Sequence, residues 1–245
     1  MNYIYFFVYT VFSILCFLPG LKIFRRARSL PKNSQQFDRL QSLLLGYWYL
    51  SFAHITFAFT VFFHSHPAAL GWLFLSIQIW FIAAFLHFLM IPLSFRLPEF
   101  RERILRLFIT TAAVIMIWSV MRFRFPYFDK SMELIDWNID PFFSLFIFLL
   151  FLAIIIPTVS FYFQQALKSS AGVVRIRSFF MSMGFSFLLF SFLIFYLFSV
   201  VFEFFIITAF TGIGLILLFF GIYHASFSSK KPPSTRPNDS STPPS

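Results

Sequence analysis

Seven runs of apolar residues follow one another along this chain, at roughly 3–22, 42–63, 70–95, 106–122, 142–164, 179–200 and 204–224, with short polar segments between them. A helix needs about 20 predominantly apolar residues to cross a bilayer, and each run approaches or exceeds that length. The last two runs nearly merge into one stretch of about 46 residues, twice a spanning length. Glu203 is the only charged residue in that stretch and marks the expected turn. The pattern predicts an all-α integral membrane domain, a bundle of seven transmembrane helices over 1–225. From 226 to 245 apolar periodicity ceases and Ser and Pro dominate, as in Pro232-Pro233-Ser234 and Pro243-Pro244-Ser245. That segment is expected to be a disordered cytoplasmic tail.

The polar segments carry the orientation. Sixteen of the 19 Lys and Arg residues fall in the first, third and fifth connections and the tail; the other side has only Arg122, Arg124 and Lys130. The positive-inside rule places the sixteen-charge side in the cytoplasm, with the amino terminus outside. No positive region precedes the first run, whose first charge is Lys22, so a retained helix is expected rather than a cleaved signal peptide. The net charge of +10 is then mainly a topology signal. Basic residues flanking spans do not form the folded basic face of a nucleic-acid binder, and they suit anionic headgroups instead.

Composition agrees. Hydrophobic residues make up 59% and charged residues 11%, against about 45–50% and about 25% in soluble domains. The 43 phenylalanines are expected as lipid-facing filler and packing. Cys16 is the only cysteine, so no disulfide or thiolate metal framework forms within one chain.

Ionisable and polar groups inside spans are expensive and mark functional candidates. His54 lies mid-span in the second run, with Ser51 on the same face. Gln78 and His87 lie in the third. Facing histidines on neighbouring helices could ligate haem, and the spans put His54 and His87 at depths differing by about 6 Å. The plainer expectation is an interhelical hydrogen bond from each imidazole. His64 and His66 could touch a surface metal, but no third ligand is near. The largest outer connection, about 123–141, carries Asp129, Glu133, Asp136 and Asp140, candidate contacts for a ligand or cation without calcium-loop spacing. Tyr127 and Trp137 there are of the interfacial type. No His-Glu-x-x-His, Gly-x-Ser-x-Gly or phosphate-cradling Gly loop occurs, and the seventh run has no Lys for a retinal Schiff base. No catalytic residue, cofactor or metal site is expected.

The order of features resembles the seven-helix amino-terminal membrane region of bacterial sensor histidine kinases. The resemblance rests on the basic exit Phe24-Arg25-Arg26-Ala27-Arg28, on Ala84-Phe85-Leu86-His87-Phe88, and on Ala171-Gly172-Val173-Val174-Arg175-Ile176-Arg177 leading towards Gly184. It covers 3–224 in layout and short stretches in letters. In that family the seventh helix leads into sensory and kinase domains; here His224 leads into the Ser/Pro-rich tail. The resemblance therefore implies a bacterial inner-membrane module that senses or scaffolds, with its output supplied by a membrane or cytoplasmic signalling partner. A small transporter or permease component is the alternative, and a haem or redox membrane protein the third.

Overall fold

The computed structural model describes residues 2–122, 124–129, 134–197 and 202–228. Seven helices dominate: α1 (Asn2–Ala27), α2 (Gln35–Phe59), α3 (Pro67–Arg96), α4 (Arg101–Met121), α5 (Pro141–Lys168), α6 (Gly172–Leu197) and α7 (Phe202–Ser228). All seven are long and apolar enough to cross a membrane. The protein is a multi-pass membrane protein with an all-α bundle.

The helix ends follow local chemistry. The Ser34 hydroxyl accepts the Phe37 N–H at 3.2 Å and caps α2. Pro67 and Pro141 open α3 and α5, where a missing N–H costs nothing. Pro19, Pro92 and Pro157 lie inside α1, α3 and α5, which continue past them. Three helices begin well before the apolar runs do. α2 starts at Gln35, α4 at Arg101 and α6 at Gly172, so Arg39, Arg101, Arg103, Arg106, Arg175 and Arg177 are helical rather than loop residues. Arginine is a good helix former, and its long stem lets the charge leave the apolar zone. Glu203, expected at a turn, is the second residue of α7, and that helix runs to Ser228, past the expected boundary at 225. The rest of the Ser/Pro-rich tail lies outside the described residues.

The connection between α4 and α5 contains two short strands. Tyr127–Asp129 (β1) and Leu134–Asp136 (β2) pair antiparallel, Tyr127 opposite Asp136. Three-residue strands are too short to show a period of two, so the sequence alone reads as loop.

Each helix packs on its sequence neighbour in four cases: α1 on α2, α2 on α3, α5 on α6 and α6 on α7. Contacts of α3 with α5 and of α1 with α7 close these six helices on themselves. Helix α3 is the centre, with 72% of its most apolar stretch buried; for α4 the figure is 11%. Helix α4 packs sparingly on α3 and α5, burying Ala112, Ile115 and Ser119.

Aromatic rings fill the six-helix core. Phe85, Phe88, Phe151 and Phe185 are fully buried, and Phe151 stacks on Phe192 with centroids 4.5 Å apart. Offset stacks and edge contacts of this kind add to packing, which holds helices together once water no longer drives them. Phenylalanine thus serves both surfaces, since Phe7 and Phe205 remain exposed on the outside. At the α6–α7 crossing the backbones nearly touch. A Cβ on Gly184 would sit 2.9 Å from the Gly214 carbonyl oxygen, and one on Gly214 would sit 3.0 Å from that of Gly184. Only glycine allows this approach.

Candidate functional site

The polar residues of the interior fall into two groups. The first group is bonded. Gln78 is buried in α3, and its side-chain oxygen accepts a hydrogen bond from the Tyr196 hydroxyl on α6. The Tyr196 carbonyl in turn accepts from Ser144 on α5. Three helices are thereby joined by one polar seam. Ser13 and Ser51 join α1 to α2 at 2.8 Å, Ser191 and Thr211 join α6 to α7 at 2.6 Å, and the Tyr47 hydroxyl donates to the Leu218 carbonyl at 3.1 Å.

His54 belongs to this group, though not in the expected manner. Its Nδ1 lies 2.7 Å from the Leu50 carbonyl of its own helix, so the bond is not interhelical. A carbonyl only accepts, so Nδ1 carries the proton. The ring is enclosed by Phe81 at 5.5 Å, Phe12 at 5.7 Å and Tyr9 at 6.2 Å.

His87 faces elsewhere. It stacks on Tyr49 at 5.4 Å and lines a cavity of about 610 Å³ between α2, α3 and α4. The ring contacts of His54, with Tyr9, Phe12 and Phe81, and that of His87, with Tyr49, have no residue in common. The interhelical bond expected of His87 is not made either, because its Nδ1 is buried without a partner among the described residues.

The cavity exists because α4 stands off the bundle. Along α4 it is lined by Arg101, Leu105, Ile109, Ala112, Ala113 and Met116, a stripe at spacings of three and four residues. From Arg101 to Met116 the helix rises about 22 Å. Helix α3 contributes Ile79, Ile82, Ala83, Leu86, His87 and Met90; α2 contributes Asp38, Gln41, Ser42, Leu45 and Tyr49. The lining is graded. Asp38, Gln41, Ser42 and Arg101 cluster at the end where α2 and α4 begin and α3 stops. His87 and Tyr49 lie deeper, and the far end is aliphatic. Arg101 Nε is buried and unpartnered, like His87 Nδ1. Neither Asp38 nor Arg101 enters an ion pair among the described residues. The volume lies within the range of about 300–1,000 Å³ typical of ligand pockets.

The acids between α4 and α5 behave differently. Asp136 accepts from the Tyr127 hydroxyl at 2.7 Å and from the Asn138 N–H at 2.8 Å, which supports a left-handed Asn138 with φ of 44°. Asp140 is buried and caps α5, accepting the Phe142 and Phe143 N–H groups at 3.0 and 3.2 Å, with Arg124 at 3.6 Å. Asp129 lies in β1, but its side chain is outside the described ones, and Glu133 falls outside the described residues. Among those described, no three His, Cys, Asp or Glu residues gather where a metal could sit. Trp137 turns inward, stacking on Phe74 at 5.2 Å and meeting Phe57 edge-on at 5.6 Å.

Of the candidates drawn from the sequence, then, only His87 lines the large cavity. Arg101 and Asp38 were missed. Arg101 reads as a topology charge until α4 is extended back to include it; its spacing to Leu105, Ile109 and the alanines was the available signal. No protein-family model, curated protein or solved structure matches this chain.

Proposed function

We propose that the protein is a non-enzymatic sensory or scaffolding module, whose receptive site is the α2–α3–α4 cleft and whose output passes to a partner protein. The carrying observation is the pairing of a peripheral, lightly held α4 with a cavity containing two buried, unpartnered nitrogens, His87 Nδ1 and Arg101 Nε. A ligand that satisfies them would bridge α4 to the bundle and shift the balance between α4 positions, since a ligand moves an equilibrium by its differential affinity for the two states. Arg103 and Arg106 ride on the first turns of α4, so such a shift changes the basic surface offered to a partner. The charge split supports a topology with the amino terminus outside and this surface in the cytoplasm. The layout shared with sensor histidine kinases, in a bacterial inner membrane, accords with this.

Transport has less support. A transporter reading rests on Gln78, His54 or Glu203; Gln78 and His54 are buried and already bonded, and the Glu203 side chain lies outside the described ones.

The test is crosslinking in native membranes followed by mild detergent extraction. A specific partner should be recovered, and Arg103→Gln with Arg106→Gln should reduce its yield. Recovery of the chain alone from crosslinked native membranes overturns the proposal.

A further inference from the structure

The cleft's chemistry also specifies its ligand, on the premise that the cleft is the receptive site. We infer that it takes one chain and the headgroup of a zwitterionic aminophospholipid from the surrounding leaflet, the phosphate on Arg101 and His87 and the ammonium on Asp38.

Shape comes first. The cavity follows α4 for about 22 Å, and one leaflet with its headgroup zone is about 20–22 Å deep, half of the 40–45 Å bilayer. The cleft of about 610 Å³ is long and narrow, a shape that suits a hydrocarbon chain laid along α4. The gradient from a polar to an aliphatic end matches an amphiphile lying parallel to the helices.

Charge decides the headgroup. Arg101 and Asp38 line the same polar end, yet neither is in an ion pair among the described residues. Arg101 Nε and His87 Nδ1 are buried without hydrogen-bond partners among the described residues. A phosphate supplies acceptor oxygens for the guanidinium, whose fork suits that geometry. A purely anionic lipid would set its charge beside the Asp38 carboxylate. A headgroup with a primary ammonium three bonds or so beyond the phosphate instead gives Asp38 a donor. The quaternary ammonium of a choline lipid has no N–H to give. Other arginines near this end have contacts of their own: Arg39 bonds Ser94 at 3.2 Å and covers the Phe95 ring at 3.5 Å, Arg96 donates to Gln164, Arg103 lies over the Phe100 ring at 5.9 Å, and Arg106 pairs with Glu102 at 3.4 Å.

The experiment is native mass spectrometry of the full chain released from nanodiscs holding equal parts of phosphatidylethanolamine, phosphatidylcholine and phosphatidylglycerol. One phosphatidylethanolamine per chain should be retained, enriched about tenfold over each competitor, the factor given by one charge-assisted hydrogen bond. Asp38 is exposed, so Asp38→Asn should fold normally and bring the ratio to phosphatidylcholine towards one. Arg101→Gln should lower retention of all three lipids. Equal retention of phosphatidylglycerol by the unaltered chain, or an unchanged ratio in Asp38→Asn, overturns the inference. Displacement by soluble phosphoethanolamine also overturns it, because the chain would then contribute nothing. A lost lipid preference with a partner still recovered by crosslinking refutes the ligand and leaves the sensory proposal standing; the converse result does the reverse.

Discussion

The seam through Gln78, Tyr196 and Ser144 and the cleft along α4 are both polar features of one apolar molecule, and they differ in whether the polar atoms have partners. In the seam, three helices supply donors and acceptors to one another. In the cleft, two nitrogens are withdrawn from water and left unpaired. The seam lies where α3, α5 and α6 are drawn together by stacked aromatic rings. The cleft lies where α4 packs sparingly on its neighbours. The difference teaches that buried polarity in this bundle is not uniform: in the seam it links helices, while His87 Nδ1 and Arg101 Nε in the cleft, like Trp48 Nε1, Thr208 Oγ1 and His224 Nδ1 elsewhere, have no partner among the described residues.

Substitutions can break this comparison. The largest effect is expected at Gly184→Val, which forces side-chain atoms into the Gly214 backbone and should cost about 3 kcal/mol or more in a detergent unfolding titration. The same small-to-large change in the cleft, Ala113→Val, should cost under about 0.5 kcal/mol because the cavity accepts it. If the two losses are equal, the contrast between tight and loose packing is wrong.

Gln78→Leu strands the Tyr196 hydroxyl and should destabilise by about 1–3 kcal/mol. Pairing it with Tyr196→Phe should recover part of the loss, and a thermal-melt double-mutant cycle measures the coupling, expected between about 0.6 and 1.7 kcal/mol for bonds within membranes. Strict additivity of the two changes would show that the seam carries no bond.

His54→Phe should cost about 1 kcal/mol or less, since the Leu50 carbonyl keeps its place in the helix ladder and the aromatic cage receives another ring. The smallest effect is expected at His87→Leu. Removing an unsatisfied nitrogen leaves the melting temperature level or slightly raised, within about 0.5 kcal/mol. A loss as large as that of Gln78→Leu would mean that His87 is bonded and the cleft is not held in reserve.

Cysteine labelling sharpens the same contrast. With Cys16, which is buried, replaced by Ser, a cysteine at Ala113 should react with a lipid-soluble maleimide while one at Ala53 stays protected. Equal protection at the two positions would show that α4 covers the cavity fully.

Much of this was legible in one dimension. Apolar runs gave seven helices, because a bilayer core demands a continuous apolar length whatever the neighbours are. His54, Gln78 and His87 stood out as polar atoms in hydrocarbon, but nothing local told them apart. The Gln78 partner is 118 residues away, and the His54 partner is a carbonyl of its own turn. The outer acids looked like one cluster, yet Asp140 is spent on a helix cap and Asp136 on a turn.

The sequence by itself determined the number of spans, their order and the unequal charge of the two faces, since these depend on hydrophobic length and on Lys and Arg placement alone. Only the tertiary structure decided that six helices close together while α4 stays outside, and therefore which polar groups are satisfied. Burial and hydrogen bonding are properties of pairs of residues brought together by packing, and the most apolar stretch of α4, close in hydropathy to that of α3, carries no local mark of standing apart.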